Sequence, residues 1–292
     1  MSTNELTIIG ERINPGFKSS RQLFDNSDIA GIQALAIKQA DSGAKYLNIN
    51  IGARALIDRA FMRDVIIGIQ EAVSIPLSFD FPNYQVQEIC LEAYDANKAN
   101  GAKPIINSLA EPRWEMAEAL NIKPSKIIVM ASERLENGVG AANKKPEQVH
   151  EVAKRISGRL IEEYGIALDD IILDVSITTL ATDREGLLNM ALEGIKLIGH
   201  DPDLKGIHMM GGISNIGMML PPNAIDGQPL KTRIERAFMM LARPHGFDTI
   251  LATPWHNYAP LPEDDIVLQI FKEVIQLKGI DAVKQIRKFY AK

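Results

Sequence analysis

Eight short apolar runs, each followed by a longer segment of helical period, occupy this 292-residue chain from end to end. They fall at residues 6–13, 46–51, 76–81, 104–108, 126–131, 171–175, 206–213 and 248–252. Strands that alternate with helices pair in parallel, because each helix carries the chain back to the starting edge of the sheet. Eight such units are the complement of an α/β fold of the (β/α)8 TIM-barrel type; an open doubly wound sheet is the alternative arrangement. The clearest helix spans 146–164, where Val149, Val152, Ile156, Leu160 and Ile161 recur at helical spacing and Gly165 supplies a stop. Another covers 32–43, and more are expected to begin near Phe61, Tyr84, Arg113, Glu185, Arg233 and Asp264. With no linker, low-complexity tract or shift in composition, residues 1–292 are expected to form a single domain.

Composition narrows the partners. A net charge of -5 without a basic block argues against a nucleic-acid partner, whose binding relies on clustered Lys and Arg. The single cysteine, Cys90, permits neither an intrachain disulfide nor a cysteine-held metal cluster. The first residues, MSTNELTIIGERIN, lack a basic start followed by a long apolar run, and no stretch approaches the ~20 apolar residues of a membrane span. A cytoplasmic protein without a membrane partner is therefore expected.

Four of the apolar runs end in an amide or a carboxylate: PLSFDF with Asp80, PIINS with Asn107, IILDVS with Asp174 and MMGGISN with Asn215. An unpartnered buried charge or amide costs several kcal/mol, so polar groups at strand ends usually face a ligand. In a barrel these ends gather around one mouth. Carboxylates accept paired hydrogen bonds from an amidine-like edge and an amide both donates and accepts, which suits a 2-amino-4-oxopyrimidine ring. The competing expectation is that Asp80 and Asp174 cap the helices that follow them. Two long, Pro-rich connections, 216–231 and 253–265, fall on the same face.

In order along the chain stand GERIN (10–14), LNINIG (47–52), FDFPN (79–83), INS (106–108), LD (173–174) and GISN (212–215). The set resembles the pterin-binding barrel of the corrinoid-dependent methyltransferases that use tetrahydrofolate, a family that includes the folate domain of methionine synthase. The resemblance runs from about residue 7 to residue 252. It implies that Asp80, Asn107 and Asp174 hold the pterin ring, that Glu11, Asn48, Asn50 and Ser214 belong to the same site, and that Asn215 lies beside N5 as the catalytic residue. It also implies a homodimer, with tetrahydrofolate or 5-methyltetrahydrofolate as substrate and a corrinoid (cobalamin) carried by a partner protein. Two departures stand out: Asn48 occupies a position that is usually aspartate, and Val175 one that is often proline.

Methyl transfer between cobalt and N5 is an in-line displacement in which the cofactors supply nucleophile and electrophile. In keeping with this, the chain shows no Ser–His–acid or Cys–His pattern and no metal-ligand spacing among His150, His200, His208, His245 and His256, so no metal site is expected. His208 reads as a satisfied structural histidine. The chain also lacks an Asp-x-His-x-x-Gly segment with which to hold a corrinoid itself. Arg12 and Asn14 are candidate contacts for the folate tail, and Met218 and Trp255, with Met219, His256 and Tyr258, for the corrinoid protein. The stretch 136–143, ENGVGAAN, reads as an Asn-Gly turn rather than a dinucleotide loop, and Arg236 as a surface residue at a helix start.

The function expected is methyl transfer from a methylated corrinoid protein to tetrahydrofolate, as the second methyltransferase of an O-demethylase or methylamine/betaine-type system. Alternatives are a methyltetrahydrofolate:corrinoid/iron-sulfur protein methyltransferase running in the opposite direction, and a non-catalytic folate-binding subunit. A dihydropteroate synthase fits less well, because the loop GARALIDRA lacks that enzyme's Ser/Thr-rich anion contacts.

Overall fold

The computed structural model describes residues 5–290. Its strands are β1 (Thr7–Ile13), β2 (Tyr46–Ile49), β3 (Leu77–Asp80), β4 (Ile105–Leu109), β5 (Lys126–Met130), β6 (Glu133–Glu136), β7 (Val139–Ala142), β8 (Ile171–Asp174), β9 (His208–Gly212) and β10 (Phe247–Ala252). All but β6 and β7 pair in parallel and close into a barrel in the order β1-β10-β9-β8-β5-β4-β3-β2. The barrel expected from the alternating pattern is therefore the fold, and each of the eight runs supplies one of its strands. Outside it lie α1 (Lys18–Asp25), α2 (Ile29–Asp41), α3 (Arg59–Ala72), α4 (Tyr84–Ala93), α5 (Pro146–Tyr164), α6 (Leu187–His200), α7 (Leu230–Ala242), α8 (Ile266–Val274) and α9 (Gly279–Ile286). Among the described residues no helix is long and apolar enough to cross a membrane.

The strands are apolar throughout because they are buried on both faces, outward against helices and inward against one another. The inward layer is small: Ile9, Ile105, Ile128, Ile172 and Met210 meet inside the barrel, with Tyr46 and Leu251 packed against them. Side chains two positions apart on a strand face the same side. The interior position above each plug residue is therefore Glu11 over Ile9, Asn48 over Tyr46, Asn107 over Ile105 and Asp174 over Ile172, and Asp80 follows Ser78 in the same way. One layer of hydrocarbon thus floors a ring of polar groups at the C-terminal ends of the strands.

Three local features differ from the sequence expectations. The segment after β4 is a 3-10 stretch, Glu111–Asn121, rather than an α-helix. Pro112 opens it, and Arg113 leaves helical geometry (φ -128°, ψ 47°) where its guanidinium forks onto both oxygens of Glu133, at 3.1 and 3.0 Å. The hairpin β6–β7 was not anticipated as a pair of strands, although its turn was: Asn137 and Gly138 adopt φ 51° and 79°, the left-handed geometry that tight hairpin turns require. Arg236 lies inside α7, not at its start, and donates to the carbonyls of Ala259 and Pro260, at 2.5 and 2.9 Å.

The floor of the barrel carries the histidine that the sequence marked as structural. His208 Nδ1 lies 2.7 Å from Asp248 Oδ2, and its Nε2 lies 3.3 Å from Asp169 Oδ1. The bond to Asp248 raises the pKa of His208 above the usual histidine value despite the opposing effect of burial. A raised folded-state pKa contributes stability that is full below the unfolded value near 6.5 and is lost as pH rises through the folded value. The melting temperature of the wild-type chain minus that of His208→Gln is therefore expected to shrink between about pH 6 and about pH 9. Thermal unfolding of both proteins across that range checks it, and a gap that widens with pH would contradict it.

Candidate active site at the barrel mouth

Asp80 and Asn107 are register partners on β3 and β4, and Asn48 pairs with Ser78 across β2 and β3. This adjacency builds a continuous network. Asn48 Nδ2 donates to Asp80 Oδ2 at 3.0 Å, and Asn50 Nδ2 donates to the same oxygen at 3.2 Å. Asn48 Oδ1 accepts from Ser78 Oγ at 3.1 Å and from Asn107 Nδ2 at 3.3 Å. Asn50 Oδ1 accepts from the Gly52 amide at 2.7 Å, which ties the loop after β2 to the site. Among the described residues, Asp80 Oδ1 and Asn107 Oδ1 have no hydrogen-bond partner.

Across the mouth, Asp174 Oδ1 accepts from the Ser176 amide at 2.7 Å, leaving Oδ2 uncommitted. Burial pushes the Asp174 carboxyl up to about 6; the Ser176 amide opposes this shift and the charge of Asp80 adds to it. Neither aspartate caps a helix. Asn83 caps α4 by accepting from the Val86 amide, and Asp183 accepts from the amides of Gly186, Leu187 and Leu188 at the start of α6. The capping expectation fails for both aspartates because other side chains already cap the helices that follow them.

The third side of the mouth is formed by β1, β9 and β10. Glu11, 7% exposed, accepts through one oxygen from Ser214 Oγ at 2.6 Å and from Thr253 Oγ1 at 2.7 Å. Burial raises its pKa, and the two hydroxyls oppose the shift. This clamp holds the 3-10 turn Ile213–Asn215, which presents Asn215 at the surface of the mouth. Among the described residues the side-chain amide of Asn215 has no hydrogen-bond partner. Its Nδ2 lies 3.0 Å from where a Cβ on Gly212 would sit, so glycine at that position gives the amide its space.

The rim residues divide. Arg12 stacks 3.9 Å from the Phe17 ring centre, lies 5.7 Å from that of Trp255 and donates to Ser19 Oγ. Lys38 Nζ sits 4.2 Å above the same indole, so Trp255 is held between two cations. The Asn14 side chain closes a local turn by accepting from the Gly16 amide at 2.7 Å. Met218 and Met219 are exposed on the loop after β9. The structure thus brings Asp80, Asn107, Asn48 and Asn50 into one network and Glu11 and Ser214 into another, with Asp174 and Asn215 between them in barrel order and Arg12, Met218 and Trp255 on the rim.

Sequence reasoning missed Ser78, Thr253 and above all Gln87. From α4, fully buried, the Gln87 Nε2 reaches the carbonyls of Phe79, Phe81 and Asn107 at 2.7, 2.9 and 3.2 Å. It therefore pins the backbone on both sides of Asp80. The available signal was a glutamine among apolar residues on the buried face of a helix.

A closed parallel barrel with this polar mouth has the architecture of the pterin-binding barrels. A family model described as "Pterin binding enzyme" matches residues 12–251, and the chain belongs to that family. One relative, the methylcorrinoid:tetrahydrofolate methyltransferase of Eubacterium limosum, is 24% identical over 265 residues, covering 85% of each chain. Among solved structures, the chain is similar to a dihydropteroate synthase of Clostridium difficile determined with pteroic acid. That match has a TM-score of 0.59 and 19% identity over 92% of this chain and 97% of the other. The dihydropteroate synthase of Coxiella burnetii, also with pteroic acid, gives 0.58 at 18% identity over 94% of both chains. At these identities the structural likeness is one of fold.

Proposed function

We propose that the chain transfers a methyl group from a methylated corrinoid protein to N5 of tetrahydrofolate. The observation that carries this reading is the pairing of two kinds of group at one mouth. Uncommitted acceptors on Asp80, Asn107 and Asp174 suit the donor-rich edge of a reduced pterin, and a free amide on Asn215 stands beyond them. In the reaction the N5 lone pair forms the new bond to carbon, the carbon–cobalt bond breaks with its electron pair left on cobalt, and the N5 proton departs. The protein's part is orientation, worth up to roughly 7–11 kcal/mol in well-aligned systems, together with an amide that follows the changing charge at N5. An amide does this without titrating.

The direction, toward tetrahydrofolate, is supported by the name of the Eubacterium limosum relative. On this reading the chain acts as the second methyltransferase of a demethylation system, accepting methyl groups that a first enzyme has moved from an aryl ether or a quaternary amine to the corrinoid. The Arg12–Trp255 corner and the exposed Met218 and Met219 are the contacts proposed for the folate tail and the corrinoid protein.

The dihydropteroate synthase reading is disfavoured by the loop after β2. Arg54 there is spent within the protein: it donates to Asp58 at 2.9 and 2.7 Å and to Ser27 Oγ at 2.8 Å, and it stacks 3.6 Å from the Phe61 ring centre. Incubation with a pterin pyrophosphate and 4-aminobenzoate is expected to yield no dihydropteroate, whereas tetrahydrofolate is expected to bind with a measurable heat in titration calorimetry. Condensation without tetrahydrofolate binding would reverse the assignment.

A further inference from the structure

The geometry points to Asn48 as a positioning residue that fixes which atoms of Asp80 and Asn107 face the ligand, so that the acceptor pattern of the mouth forms without a bound proton. The inference rests on the ring-binding reading above. Asn48 is 1% exposed, and both ends of its amide are occupied by protein, so it acts through its neighbours rather than by touching a ligand.

The polarity of the network follows from one end. An ionised Asp80 can only accept, so the amide of Asn48 must turn its NH2 toward it. The Asn48 oxygen then faces Ser78 and Asn107, and Asn107 must present its own NH2 inward. The Asn107 oxygen is then left, like Oδ1 of Asp80, without a partner among the described residues and available as an acceptor. Reversing Asn48 would set donor against donor and acceptor against acceptor at each of these contacts.

An aspartate at position 48 would make the same inward contacts but would place a second carboxylate 3.0 Å from Asp80. Like charges that close do not both ionise, so one proton would be shared between them. The other groups at the mouth offer no relief. Asn50 just after β2 and Asn107 on β4 are neutral, Asp174 on β8 and Glu11 on β1 are acids, and among the described residues the side-chain partners of Asp80 are the amides of Asn48 and Asn50. Asn48 therefore removes a proton that an acid in its place would have to carry.

The test is tetrahydrofolate affinity as a function of pH, by calorimetry, with thermal unfolding measured on the same proteins. In Asn48→Asp the affinity relative to wild type is expected to fall as pH rises, approaching about tenfold per pH unit once the shared proton is lost. The swap Asn48→Asp with Asp80→Asn restores one amide and one carboxylate but buries the charge at position 48. Its melting temperature is expected to stay near that of wild type while its folate affinity drops about a hundredfold. A wild-type pH profile in Asn48→Asp, or wild-type affinity in the swap, would overturn the proposal while leaving the ring-binding reading intact. Failure of the wild-type chain itself to bind tetrahydrofolate would overturn both.

Discussion

Asn215→Ala is expected to slow methyl transfer by about 10²- to 10³-fold while changing tetrahydrofolate affinity by no more than about threefold. The asymmetry follows from the position of the residue. Its side chain is exposed, makes no hydrogen bond to the other described residues and belongs to a turn held independently by Ser214 and Glu11, so its removal strands none of them and opens no cavity. In the proposed reaction, what is lost is a group whose interaction with N5 changes as the methyl arrives, and loss of one such preorganised donor costs about 2.7–4 kcal/mol in the transition state. Single-turnover rates and binding heats measured on the same variant separate the two effects. Equal losses in rate and affinity would make Asn215 a binding residue and remove it from the chemistry.

The second large effect is expected at Asp80. Asp80→Ala should weaken tetrahydrofolate binding by at least about a hundredfold, because charge-assisted hydrogen bonds contribute roughly 1.5–3 kcal/mol each. It should also lower stability, because the amides of Asn48 and Asn50 lose the oxygen they share at 3.0 and 3.2 Å. A buried amide left unpaired costs about 1–3 kcal/mol. Asp80→Asn retains the volume but not the charge and is expected to fall between alanine and wild type in affinity. Titration calorimetry with denaturant unfolding reads both quantities. An Asp80→Ala protein that loses stability but binds folate normally would show that the network is purely structural.

The barrel was legible in the sequence because its strands, buried on both faces, read as nearly unbroken apolar runs, so that a single Asp or Asn at the end of one was conspicuous. Asp80, Asn107 and Asp174 stood out in this way, and the period of two that places them over the hydrocarbon floor is a property of any strand. The orientation of the amides was not legible. Asn48 read as a missing charge, whereas the structure makes it the bridge between Asp80 and Asn107, a role that depends on pairing across three strands distant in sequence. Gln87 was missed for a related reason: its three carbonyl partners come from β3, the residue after it and β4, and no periodicity in α4 announces them. The stretch Glu111–Asn121 has helical composition, but the pull of Glu133 on Arg113 is a tertiary contact that overrides local preference.

In the proposed reaction this mouth brings N5 of tetrahydrofolate to a methylated cobalt. Its most direct test is the anaerobic absorption spectrum of the purified chain mixed with a methylated corrinoid protein or methylcobalamin, before and after addition of tetrahydrofolate. The expected result is folate-dependent conversion of the methylcob(III) spectrum to that of cob(I), with stoichiometric 5-methyltetrahydrofolate and with the rate depressed in Asn215→Ala. A methylcob(III) spectrum that persists with cognate corrinoid proteins, under conditions where calorimetry shows tetrahydrofolate bound, would contradict the claim and leave a folate-binding protein without transfer activity.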